Sequence, residues 1–219
     1  MKRFLSILLV CTMLFCLCGC RNNDSKRDRI EEDLDKDVQS GKVSLGVTED
    51  GIYTNEFLGL SCTLPDGWEF YSRDQILETN NLVGDMAGDE LAEMLENAAI
   101  IYDMYASHPT TYSSININME KISALQAATL DLKETLESQF ETIESSFTNM
   151  GYNNIQIEYT KVAVDGHSFD GVKLQATIQG VEFYEIVFSF QKSNYIANVT
   201  VGTLKTDTTA DLLACFSVK

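Results

Sequence analysis

Histidine is nearly absent from this 219-residue chain, which has only His108 and His167, far apart in sequence. That scarcity excludes a histidine-rich metal centre and leaves few candidates for a histidine general base. Basic residues are also scarce, 16 Lys and Arg against 33 Asp and Glu, for a formal charge of -17. Phosphate backbones and anionic head groups repel such a surface, so nucleic acid is not expected as a partner. No apolar run reaches the roughly 18 to 20 residues of an ordinary membrane span. No G-x-S-x-G nucleophile elbow occurs, and Trp68 is the one tryptophan.

Four of the six cysteines crowd into the first 20 residues, and three of them, Cys16, Cys18 and Cys20, fall within five positions. Upstream stand Lys2 and Arg3, followed by an almost wholly apolar stretch from Phe4 to Cys18 and then the small residue Gly19. Positive charge, apolar run and small residue, in that order, mark an export signal. The stretch "LCGC" resembles the bacterial lipobox, in which the cysteine thiol receives a diacylglyceryl group. That resemblance implies cleavage after Gly19, lipidation of Cys20, and loss of Cys11, Cys16 and Cys18 with the signal. Residues 20 to 219 then carry 14 basic residues against 33 acidic ones, a formal -19. Membrane attachment must come from acyl chains, because no basic patch is present to supply it.

Residues 1–19 thus read as a lipoprotein signal peptide, and residues 20–50 as a lipidated cysteine followed by an acidic, polar tether with too few apolar residues to offset the entropy of ordering. Residues 51–219 read as one folded domain. Alternation of Leu58, Leu60, Cys62 and Leu64 with Phe57, Gly59, Ser61 and Thr63 predicts a strand ended by Pro65-Asp66-Gly67. Ser72 three residues before Gln75 predicts a capped helix, and a second helix is expected from Asp89 to about Asn97. Two strands follow, "IIYDMYAS" and "SSININMEKI", the latter alternating Ile115, Ile117 and Met119 with Asn116, Asn118 and Glu120. Leu125, Ala128, Leu132, Leu136, Phe140, Ile143, Phe147 and Met150 recur at steps of three or four and predict one long helix capped by Gly151. Four strands broken at "DGHSFDG", "QG" and "QKSN" come next. A closing helix, capped by Asp207 or Thr208, is expected to hold Leu212, Cys215 and Phe216. The sum is α+β: an antiparallel sheet packed with helices.

The segment "YTNEFLGLSCTLPDGWEF", Tyr53 to Phe70, resembles the start of the Mog1/PsbP-like fold, and the order of elements after it is similar to that family's. This resemblance covers about residues 51 to 219 and implies an α-β-α sandwich. The family includes photosystem II extrinsic subunits, a Ran-binding transport factor and lipoproteins of Gram-positive bacteria, the group this sequence resembles most. It implies an interaction module rather than a catalyst, and beyond the strand, proline and tryptophan no family motif is matched.

Individual candidates read as follows. His167 lies beside Asp165, Ser168 and Asp170 on a hairpin, where a serine next to a histidine points elsewhere, so it reads as an exposed turn residue. His108, before Pro109, reads the same way. Asp85, Asp89 and Glu90 offer oxygen ligands of the kind calcium takes, but they lack EF-hand spacing and suit the start of a helix. Cys62 and Cys215 are a candidate disulfide in an oxidising exterior, or two small apolar residues in a core. No catalytic residue, metal or cofactor is assigned. The expectation is an extracytoplasmic lipoprotein on the cell membrane that binds a protein or small molecule, with a carboxylate-based hydrolase as the alternative. Two carboxylates at catalytic separation would favour the hydrolase, and an apolar patch on the outer sheet face the binding module.

Overall fold

A computed structural model describes residues 43–82 and 88–219. Gly19, Cys20, Asp85 and most of the stretch assigned to the tether lie outside the described residues. In chain order the elements are β1 (Val47–Glu49), β2 (Ile52–Asn55), β3 (Leu60–Thr63), β4 (Glu69–Phe70), α1 (Arg73–Thr79), α2 (Gly88–Asn97), β5 (Ile100–Ser107) and β6 (Ser114–Lys121). They continue with α3 (Ala124–Thr129), α4 (Leu132–Ser138), α5 (Phe140–Asn149), β7 (Tyr152–Val164), β8 (His167–Ile178), β9 (Val181–Lys192), β10 (Tyr195–Leu204), α6 (Thr209–Leu213) and β11 (Phe216–Val218).

The described strands form a small sheet, β1-β2-β3-β11, and a large one, β4-β5-β6-β10-β9-β8-β7, and every pairing is antiparallel. This is the α+β architecture expected of the sequence. Two-residue turns set the hairpin registers: Asp50-Gly51, Asp165-Gly166 and Gln179-Gly180 all have positive φ at both positions, the conformation that suits the twist of paired strands. One face of the large sheet carries Ile101, Met104, Ile115, Ile117, Met119, Ala197, Val199, Val201 and Phe188. It packs with Tyr53, Leu60, Cys62 and Phe216 of the small sheet and with Leu77, Leu95 and Leu212 from α1, α2 and α6. The other face carries Val172, Leu174, Ala176, Phe183 and Val187 under Leu136, Ile143 and Phe147 of α4 and α5.

Folded contacts begin before Gly51. Val43 is buried, Gly46 N–H donates to Asp103, and β1 pairs with β2, so residues 43–50 belong with the domain rather than with a solvated tether.

The single long helix expected from Leu125 to Met150 is three helices instead. Leu130 takes an extended conformation (ψ 121°), and Asp131 caps the next helix by accepting from Glu134 N–H at 3.0 Å. A capping aspartate restarts a helix even where the apolar period runs on. The break lets Leu130 and Leu132 both turn onto Ile122 and Ile196. The stripe survives from Leu136 onward, and Gly151 at φ 92° ends α5 as expected. Phe216 also leaves its expected helix. Five residues after Thr208, α6 stops, and Phe216 joins β11 opposite Cys62, buried edge-on against Phe188.

Candidate functional site

Two places in the fold hold polar groups that a core normally rejects. The first is Asp103, inside the apolar run "IIYDMYAS". The β5–β6 register slips between Tyr102 and Met104, so Asp103 is the extra residue of a β-bulge. Such an extra residue can be re-aimed out of the ladder. Its carboxylate accepts from Gly46 N–H at 2.6 Å, Asn55 Nδ2 at 2.7 Å and the Tyr53 hydroxyl. Burial raises its pKa, while the bonds from Tyr53, Gly46 and Asn55 act against the rise. The same burial, with the Asp103 charge beside it, holds the Tyr53 hydroxyl well above its ordinary range. Next to this cluster lies a cavity of about 310 Å³ lined by Tyr53, Phe70, Tyr71, Arg73, Asp103 and Tyr105, among others.

With all three donors satisfied, Asp103 acts as a clasp joining the small sheet and the entering chain to β5. Asp103→Asn would set an amide donor against donors, so it should cost about 1 to 3 kcal/mol in a urea melt. An unchanged midpoint would remove the clasp assignment.

The second place is the helix-side face of the large sheet where β9, β10, β6 and β5 run side by side. Cross-strand register arranges its residues in rows: Glu185, Gly202, Ser114 and Ser107; then Val187, Thr200, Asn116 and Tyr105; then Ser189, Asn198, Asn118 and Tyr102. The third row continues through Asp170 on β8 to Lys161 on β7, paired at 2.7 Å. The main contacts of α4 and α5 fall on β7 and β8, and the polar residues of the rows are themselves enclosed, Asn118 and Thr200 at 0% exposure.

Inside the rows, Ser189 Oγ donates to Asn198 Oδ1 at 2.7 Å, and Asn198 Nδ2 donates to Asn118 Oδ1 at 3.2 Å. Among the described residues, five buried atoms on this face have no hydrogen-bond partner: Ser114 Oγ, Asn116 Nδ2, Asn118 Nδ2, Thr200 Oγ1 and Glu185 Oε1. Burial alone pushes the Glu185 carboxyl up to about 8. It faces Leu174 on one side and Gly202 on the other. At neutral pH that side chain is largely an uncharged acid, able to donate as well as accept.

The residues singled out from sequence fall elsewhere. His167 is exposed at a hairpin end; Asp165 there accepts from Val218 N–H, and Asp170 is bound by Lys161 and Tyr159, so neither orients the imidazole. His108 sits in its turn with its ring edge-on to Trp68 at 5.9 Å, which places the half-buried tryptophan at the rim of the core. Asp89 and Glu90 stand in the first turn of α2, and among the described residues no three metal-ligating side chains converge. Cys62 and Cys215 are brought to neighbouring positions, with Thr63 N–H donating to Cys215 O at 3.0 Å, and both are free thiols. Exposed large apolar side chains, Val47, Ile52, Met94 and Tyr112, are scattered over separate elements. The rows described above are polar, where an apolar patch was the expected mark of a binding face.

No described helix is long and apolar enough to cross a membrane. No family model matches the chain, and no curated protein matches it. Among solved structures the chain is similar to LpqN of Mycobacterium tuberculosis, a protein involved in cell envelope biogenesis, at 8% identity and a TM-score of 0.39, over 73% of this chain and 83% of that one.

Proposed function

We propose that this chain is an extracytoplasmic lipoprotein of the Mog1/PsbP-like type, held to the cell membrane by an acylated Cys20, whose domain binds a ligand on the polar rows of the large sheet. One observation carries the binding assignment: five buried polar atoms without partners share one sheet face. A buried group left unsatisfied costs about 1 to 3 kcal/mol, and natural folds keep few of them. Five together are a cost that a ligand supplying the missing partners would offset once this face, closed here with each of the five residues at most 5% exposed, opens to admit it. The hydrolase alternative would draw on the buried acids Asp103 and Glu185. They sit on opposite faces and three strand spacings apart, about 14 Å, beyond the roughly 9.5 Å at which paired carboxylates act on one bond.

The test is the double variant Asn116→Leu, Asn118→Leu, which replaces two amides by apolar side chains of the same branching. It should fold, with the gain from removing two unsatisfied amide donors offset by the Asn198 Nδ2 donor that loses Asn118 Oδ1 as its acceptor. A soluble wash of the cell envelope should raise the parent's melting temperature and leave the double variant's unmoved. Equal shifts in both proteins would rule out the rows as the binding surface. For the anchor, Cys20→Ser should abolish incorporation of labelled fatty acid, and undiminished label would refute it.

A further inference from the structure

We infer that the cavity beside Asp103 is a second binding site, and that it takes a small organic acid: one carboxylate on a compact body that carries an aromatic ring. Its features are separate from those of the polar rows, so either assignment can fail without the other. β1 is the edge strand of the small sheet and β4 that of the large one, and both contribute to the cavity, Val47 and Thr48 from the first and Phe70 from the second. Thr48 and Arg73 are exposed, Phe70 and Tyr71 half-buried, and Ile76 and Met104 buried, so the wall runs from solvent down to the core. A volume of about 310 Å³ is at the lower end of small-molecule sites.

The walls call for an aromatic body. The rings of Tyr71 and Tyr105, both in the wall, stand 4.4 Å apart and are tilted by 58°. A further ring packs on such a pair by offset or edge-on contact. Arg73 sets the charge. The chain has 33 acidic side chains to 16 basic ones, yet among the described residues Arg73 is in none of the ion pairs, which are made by Lys133, Lys161 and Lys173. A guanidinium is a planar fork that holds a carboxylate by two parallel bonds. Asp103, the acid in the same wall, is already engaged by Gly46, Asn55 and Tyr53, so it is no open counter-charge for a cation. Ser72 and Gln75 bond each other in the capping box, which leaves charge recognition to the Arg73 side chain.

The hairpin adds an amide partner. Its two-residue turn makes Glu49 and Ile52 a hydrogen-bonded pair, so the alternation along β1 directs the Thr48 N–H and C=O away from β2. By the same alternation the Gly46 N–H points outward, and it reaches Asp103 at 2.6 Å. An extended peptide could also use that edge, but β1 and β4 are only three and two residues long, a short ladder for strand addition.

The experiment is calorimetric titration of the full chain with N-acetylphenylalanine, its uncharged carboxamide, and phenethylamine as the cationic control. The acid should bind, the carboxamide about tenfold more weakly and the amine not at all, because one charge-assisted contact carries about that much. Arg73→Gln should cost the acid the same factor, and Arg73→Lys less, since the charge stays and the fork is lost. Tyr71→Ala should weaken binding severalfold, and Tyr71→Phe should keep it. Arg73 is exposed, so its variants should melt with the parent and the loss is not one of folding. Equal binding of acid and carboxamide, tighter binding of the amine, or undiminished binding in Arg73→Gln would overturn the proposal. So would failure of the acid to bind, whether or not a tetrapeptide ending in phenylalanine binds in its place.

Discussion

Phe147→Ala is expected to destabilise the domain by about 3 to 5 kcal/mol, the range for removing a fully enclosed aromatic ring. Phe147 is 0% exposed and lies against Tyr152 and Phe183, with ring centroids 4.9 Å and 6.0 Å away. Tyr152 and Phe183 themselves stand 5.2 Å apart, so the three rings form one unit between α5 and the sheet. Truncating the central ring leaves a cavity that its neighbours can close only by leaving their own contacts. Phe140, one of the half-buried residues on the same stripe, should lose less, and exposed Glu141→Ala should stay within about half a kcal/mol. Urea melts of the three variants give the ordering. A Phe147→Ala midpoint close to the parent's would mean that α5 is not part of the core.

Glu185→Gln is expected to remove a pH dependence that the parent shows. Burial raises the Glu185 pKa from 4.5 to about 8, so the folded state keeps a proton that the unfolded chain releases. For a raised acid, stability is fully present below the unfolded value and is lost as pH climbs through the folded one. The window therefore runs from about pH 4.5 to about pH 8. At 1.36 kcal/mol per unit, the loss by pH 7 is roughly 3 kcal/mol, an upper figure because the site can relax or admit water. The substituted amide cannot ionise, so the Glu185→Gln protein should be the more stable of the two at pH 7 and should match the parent near pH 4. Parallel stability curves for the two proteins across that range would contradict the burial of Glu185 as a neutral acid. A stabilising change at a buried polar position is what a site held for function predicts.

Much of the frame could be read from local sequence. Ser72 and Gln75 do form the reciprocal capping box, and the glycine turns do close the hairpins that they punctuate. These signals are legible because their causes lie within a few residues. The break at Leu130 and Asp131 was hidden by an apolar period that continues across it, and the strand position of Phe216 depends on β3, distant in sequence. The site was hidden more deeply. Alternation of Asn116 and Asn118 with isoleucines was plain, but alternation alone describes any half-solvated strand. Their meaning comes from Asn198, 80 positions away, and from Glu185 on the next strand. Asp103 left a sharper trace, an acid within an apolar strand run, while its three donors come from β2 and the entering chain.

The assignment of the polar rows is tested most directly by following the side-chain amide resonances of Asn116, Asn118 and Asn198 by NMR during titration with the cell envelope wash. A ligand seated on the rows supplies partners to Asn116 Nδ2 and Asn118 Nδ2, so those two resonances should move most, and Asn198 should follow through its bond to Asn118. Binding that shifts residues around Tyr112 or Met94 and leaves these three amides in place would contradict it.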